Sequence, residues 1–145
     1  MSDDTEKTRR QRWMAVLARA SRREIETLLG DAPSHQLLKA PETGTVMVEG
    51  RAGGAGRRFN LGEATVTRCV VRLDDGTMGF SYALGRDGRK ARLAAILDAK
   101  LQRETEGGLH RGIAMLAAAQ AGARDRAARK AAATKVDFFT LVRGA

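Results

Sequence analysis

The stretch Glu63-Ala64-Thr65-Val66-Thr67-Arg68-Cys69-Val70-Val71-Arg72-Leu73, followed by Asp74-Asp75-Gly76-Thr77 and then Met78-Gly79-Phe80-Ser81-Tyr82-Ala83-Leu84, decides the fold. Residues 63–73 are dense in β-branched side chains, which suit a pleated, half-buried surface. Asp74-Asp75-Gly76 supplies a turn whose glycine can take positive φ, so an antiparallel hairpin is predicted. The return strand alternates strictly. Met78, Phe80, Tyr82 and Leu84 share one face; Gly79, Ser81 and Ala83 share the other, where a helix can pack closely. Upstream, residues 45–51 read as a further strand with Val46 and Val48 on one side and Thr45, Met47 and Glu49 on the other. Residues 36–39 are a candidate fourth strand.

Helices are expected on both flanks. From about Thr5, the residues Trp13, Val16, Leu17 and Ala20 recur at helical spacing, with Arg9, Arg10, Arg12 and Arg19 outside that stripe. Ser21 and Glu24 have capping-box spacing and open a second short helix over 22–29 that buries Ile25, Leu28 and Leu29. One continuous helix with a polar step is the alternative; Gly30, Asp31 and Pro33 end the helical region either way. Beyond the sheet, Leu93, Ile96, Leu97 and Leu101 form another stripe, which Gly107-Gly108 interrupts. Residues 109–133 are rich in alanine, which favours helix but offers little area for a core. Such a helix fits close packing on another chain, or partial disorder. Next to it Phe138, Phe139, Leu141 and Val142, with Arg143, concentrate apolar surface that is expected to dock on a partner, packing on this chain's own sheet being the alternative. The fold class is therefore α+β in a single domain over 1–145: N-terminal helices (1–30), a small antiparallel sheet of three to four strands (31–88), then C-terminal helices and an apolar tail (89–145).

Composition narrows the chemistry. With 145 residues, 43% hydrophobic and 30% charged, the chain suits one core. Its one cysteine, Cys69, excludes an internal disulfide, a Cys-rich zinc site and a three-cysteine iron–sulfur motif. Its longest uncharged stretch, 112–123, is far shorter than the roughly 20 residues a spanning helix needs. The charged residues 1–10 lead into no apolar signal core, so a soluble, cytoplasmic protein is expected. The net charge of +9 is uneven: the balance is +2 over 1–30, zero over 31–88 and +7 over 89–145.

The segment most suggestive of ligand chemistry runs from Gly50 to Arg58. Backbone N–H groups of Gly53, Gly54 and Gly56 can converge on an anion, with Arg51 and Arg57 to neutralise it. A Walker loop or dinucleotide fingerprint is excluded, because strand rather than helix follows. A loop that merely joins two strands is the alternative. Gly79-Phe80-Ser81-Tyr82-Ala83 is rejected as a nucleophile elbow, since Ser81 lies inside an alternating strand. His35 and His110 have no ligand-spaced neighbour and read as surface or capping residues; Cys69 reads as a buried small hydrophobe. Glu63 and Arg68 fall on opposite strand faces, and no acid–base constellation or metal site emerges. The basic C-terminal third lacks the interleaved aromatics of a nucleic-acid channel, so nucleic-acid binding is the weaker alternative, with a stand-alone phosphate-binding module beside it.

Three blocks carry a resemblance: Thr43-Gly44-Thr45-Val46-Met47-Val48, then Arg51-Ala52-Gly53-Gly54-x-Gly56, then Phe59-Asn60-Leu61-Gly62-Glu63-Ala64-Thr65-Val66-Thr67-Arg68. Arg10-Gln11-Arg12-Trp13-Met14-x-Val16-Leu17, Gly85-Arg86-Asp87 and Val136-Asp137-Phe138-Phe139-Thr140-Leu141-Val142-Arg143-Gly144 fit as well. By these blocks the chain resembles the PhnG family, the small G subunit of the bacterial carbon–phosphorus lyase system; residues 107–134 match least. The resemblance implies an accessory subunit of an enzyme complex in phosphonate catabolism, working with H, I and J subunits in two copies each. That complex transfers an alkylphosphonate onto the ribose C1′ of ATP and releases adenine. It also implies no cofactor in this chain, ATP and phosphonate being substrates of the complex, while the iron–sulfur cluster and SAM belong to the J partner. No catalytic residue carries over.

Overall fold

Local rules account for each element of the computed structural model, which describes the backbone of residues 2–51 and 58–144 and the side chains of residues 5–49 and 62–134. The elements are α1 (Ser2–Arg19), α2 (Arg22–Leu29), β1 (His35–Arg51), β2 (Arg58–Leu73), β3 (Met78–Leu84), α3 (Gly88–Arg103) and α4 (Gly108–Gly144). The α+β class with helices at both ends holds. α1 and α2 are separate helices because the capping box closes: the Ser21 hydroxyl accepts from Glu24 N–H at 3.1 Å, and the Glu24 carboxylate accepts from Ser21 N–H at 2.9 Å. Gly30, at φ 69°, ends α2.

The sheet has three antiparallel strands in the order β1-β2-β3. The candidate fourth strand, 36–39, is instead the first part of β1, which pairs with β2 from His35–Leu73 to Arg51–Arg58. The chain passes Pro41 without breaking the strand because the register shifts between Leu37 and Lys39 and between Lys39 and Glu42. A proline is tolerated there because β1 is an edge strand with one side unpaired. β3 pairs only with Val66–Arg72 of β2, so beyond Val66 the β1–β2 hairpin continues as a two-stranded ribbon. Gly76, at φ 94°, makes the predicted turn into β3.

One sheet face is covered by α3, which begins where the Asp87 carboxylate accepts from Lys90 N–H at 3.1 Å. The register puts Thr67, Cys69 and Val71 opposite Ala83, Ser81 and Gly79 on this face. All of them are buried except the half-buried Ser81, whose hydroxyl donates to the Ala91 carbonyl at 2.6 Å. Helix and strand approach so closely that a β-carbon on Gly79 would run into the Ala95 carbonyl oxygen. Ile25 and Leu29 of α2, Trp13 and Leu17 of α1, and Ile96, Leu97 and Leu101 of α3 complete this core. The opposite face stays open, with Met78, Phe80, Tyr82 and Leu84 each about 40% exposed.

The chain divides into two compact units, Met1–Ile113 and Ala114–Ala145. Within the first, the opening turn of α4 buries Ile113 and brings Gly112 against Leu28. The second is the remainder of α4. Its backbone stays helical through residues 136–144, so Phe138, Phe139, Leu141, Val142 and Arg143 continue the helix rather than forming a separate tail. Their side chains lie outside the described residues.

The close helix–strand approach makes Gly79→Ala costly. Overpacking of this kind takes about 1–3 kcal/mol, so chemical denaturation of the full chain should show a loss in that range. Gly44→Ala, whose β-carbon meets open space, should leave the midpoint where it is.

Candidate functional site

Asp98 lies in the middle of α3, one turn after Ala94 and just before Leu101, where the apolar stripe calls for a hydrophobic residue. It is fully buried and its carboxylate is saturated. Arg10 of α1 donates through Nε to Oδ1 at 3.1 Å and through Nη2 to Oδ2 at 2.7 Å. The Trp13 indole donates to Oδ1 at 2.8 Å, the Phe80 backbone N–H to Oδ2 at 2.9 Å, and the Gln102 amide to Oδ2 at 3.1 Å. The hydrogen bond to Asp98 is the largest influence holding the Arg10 guanidinium above its ordinary pKa. That guanidinium also sits 5.5 Å from the Phe80 ring centroid, a cation–π contact.

Two neighbours on α3 extend the same device along the free edge of β3. Gln102 donates to the Met78 carbonyl at 2.8 Å, and the Lys90 ammonium donates to the Leu84 carbonyl at 3.1 Å and the Ala18 carbonyl at 3.3 Å. Burial pushes the Lys90 pKa down, with Asp87 and Glu24 opposing the shift. Side chains of one helix thus satisfy edge groups that a further strand would otherwise pair.

The histidines are structural. His110 Nε2–H donates to the carbonyls of Leu101 at 3.1 Å and Glu104 at 2.6 Å, closing the end of α3, and its ring meets Trp13 edge-on with centroids 5.4 Å apart. His35 Nδ1–H donates to the Pro33 carbonyl at 2.8 Å, which leaves Nε2 to accept from Arg92 Nε at 2.9 Å. Cys69 is buried, and desolvation pushes its thiol pKa up, away from nucleophilic reactivity. Ser81 spends its proton on the Ala91 carbonyl.

Two of the surface grooves among the described residues bear on binding. One, of about 560 Å³, lies where Lys7, Arg9, Arg10 and Trp13 of α1 face Gln102 and Thr105, and the Arg9 guanidinium crosses to the Thr105 carbonyl at 2.8 Å. The other, of about 430 Å³, is lined by His35, Pro41, Gly88, Arg89 and Arg92, with Arg89 paired to Glu26 at 3.3 Å. Guanidinium groups border both. Among the described residues, no three His, Cys, Asp or Glu side chains converge as metal ligands would.

Of the residues singled out for anion binding, Arg51 is the last of β1 and its side chain lies outside the described residues, as do Gly53, Gly54, Gly56 and Arg57 altogether. Sequence reasoning missed Asp98, Arg10 and Lys90. Arg10 was expected outside the buried stripe, yet it lies three residues before Trp13 and reaches the same carboxylate. The available signal was a lone aspartate inside an apolar helical stripe, since such a charge is buried only with a partner.

Comparison with known proteins adds to this geometry. The family described as phosphonate metabolism protein PhnG matches residues 8–144. The chain belongs to the PhnG family. A relative named alpha-D-ribose 1-methylphosphonate 5-triphosphate synthase subunit PhnG, from Rhizobium meliloti (strain 1021), is 45% identical over 147 residues; the match spans 99% of this chain and 94% of that protein. In this chain the Asp98 network joins α1, β3 and α3; the carboxylate is buried while Arg10 stays about one-third exposed, and losing hydrogen bonds to such a charged group costs about 1.5–3 kcal/mol. Asp98→Asn should therefore lower the stability of the full chain by about that amount in denaturant titration. A loss below about 1 kcal/mol would show that the network carries no such weight.

Proposed function

We propose that this PhnG chain is a non-catalytic subunit of a synthase that joins an alkylphosphonate to the ribose C1′ of ATP in phosphonate catabolism. A phosphonate oxygen forms the bond to C1′, the bond from C1′ to the adenine nitrogen breaks, and adenine leaves with the phosphonate proton. The name of the relative from Rhizobium meliloti supports this reaction, since its product carries a phosphonate at C1 and a triphosphate at C5 of ribose. The observation that carries the accessory role is the commitment of the chemically capable groups to structure. Asp98, Ser81, His35 and His110 are engaged in holding elements together, and the Cys69 thiol is buried.

On this reading the reacting groups come from partner chains: H, I and J subunits, with two copies of each. The iron–sulfur cluster and SAM chemistry belong to a partner, and this chain brings no cofactor of its own. The assembly works in the cytoplasm; no helix among the described residues is long and apolar enough to cross a membrane. Arg51 and Arg57, with Gly53, Gly54 and Gly56, contribute an anion contact.

Purified full-length chain incubated with ATP and methylphosphonate should release no adenine above a buffer control, whereas co-expression with the partner subunits should yield adenine. Release by the chain alone that survives repurification would overturn the accessory role. In the assembled synthase, Arg51→Ala combined with Arg57→Ala should raise KM for ATP without moving the melting temperature of the chain. Unchanged kinetics would make the loop a connector only.

A further inference from the structure

The core is built so that large apolar residues of β3 have nowhere to go but outward. Gly79 leaves no room for a β-carbon beneath the Ala95 carbonyl, and Ser81 is tied to Ala91, so the small face of β3 must lie under α3. Strand side chains alternate, so Met78, Phe80, Tyr82 and Leu84 emerge together on the opposite face, about 40% exposed each. On the neighbouring strand Val70 stands opposite Phe80 and adds apolar surface between them. Aligned apolar rows of this kind mark interaction sites when they stay uncovered.

Charge selects the occupant. Arg68 stands opposite Tyr82 and Arg72 opposite Met78, both exposed on this face. Among the described residues neither has a carboxylate within ion-pair distance; Glu42, opposite Arg68 on β1, is engaged by Lys39 at 3.3 Å. A second copy of this chain would set the arginines of one face against those of the other, between two molecules of net charge +9. A nucleic acid would need a run of open rings for stacking, but the Arg10 guanidinium sits over Phe80, which leaves Tyr82 as the one uncovered ring among the described residues of this face. The β3 edge is partly occupied as well, because Gln102, Asp98 and Lys90 engage the Met78 carbonyl, the Phe80 N–H and the Leu84 carbonyl, which favours a partner on the face over a strand added beside β3.

We propose that this open sheet face, Met78, Phe80, Tyr82 and Leu84 with Arg68 and Arg72, seats another subunit of the synthase through an apolar surface bordered by carboxylates. The proposal rests on the accessory-subunit reading and names the surface through which that role is exercised. Partner subunits are co-expressed with the full-length chain, one of them tagged, and the amount of chain captured is measured. Tyr82→Glu, and separately Arg68→Glu with Arg72→Glu, should cut capture by roughly tenfold or more, the effect of losing an interfacial anchor. Arg23→Glu on α2 should capture like wild type. Both exposed arginines can change without loss of core, so the double reversal retains the test if Tyr82→Glu lowers the melting temperature.

Wild-type chain captured together with both face variants would overturn the proposal and leave the subunit reading standing. Failure of the wild-type chain itself to be captured would overturn both. The face assignment also falls if deletion of residues 136–145 abolishes capture while the face variants keep it. It falls equally if sedimentation shows a dimer of this chain that the face variants dissolve, or if they lose salt-sensitive oligonucleotide binding with capture intact.

Discussion

A buried carboxylate with no partner would be intolerable in the middle of a helix stripe, and the fold is arranged to prevent it. Asp98 collects donors from α1, from the backbone of β3 and from its own helix. Arg10 and Trp13 lie 88 and 85 residues away in sequence, so the carboxylate closes a long-range contact of the core. Removing it would strand a guanidinium, an indole and a strand-edge amide together, which is why the network is stronger than any one of its bonds suggests.

The same helix also resolves the problem of a short edge strand. An exposed β3 edge would invite pairing with another chain, yet polar side chains at 90, 98 and 102 of α3 engage the Leu84 carbonyl, the Phe80 N–H and the Met78 carbonyl there, and α1 lies beside it. Close approach of α3 demands glycine at 79 and small residues at 81 and 83. Tight packing on one face and apolar exposure on the other are thus a single constraint viewed from two sides.

That arrangement suits a chain whose work is to be held by others. Groups that would serve as base, acid or nucleophile in an enzyme here tie elements of the fold together, and His35, with both ring nitrogens engaged, and the buried Cys69 thiol with its raised pKa illustrate it. Membership of the PhnG family, with a synthase subunit 45% identical over nearly the whole chain, fits a molecule whose unfinished surfaces matter more than its interior chemistry.

What the sequence by itself determined is local. The Asp-Asp-Gly turn, the Ser21–Glu24 box, the alternation along β3 and the stripe of α3 are each written within a window of a few residues, because strand and helix periods are properties of the backbone. The small face of β3 was legible as a helix seat for the same reason, and family blocks spread along the chain were legible as a resemblance. Only the tertiary structure decided that β1 runs on through Pro41, because the tolerance for a proline depends on being at the edge of the sheet. It alone decided which residues satisfy Asp98, since an arginine outside the apolar stripe becomes the partner of a buried carboxylate only when another helix arrives beside it. And it alone left the face of Met78, Phe80, Tyr82 and Leu84 open: alternation sorts side chains into two faces, but which face is covered depends on where α3 finds room to pack.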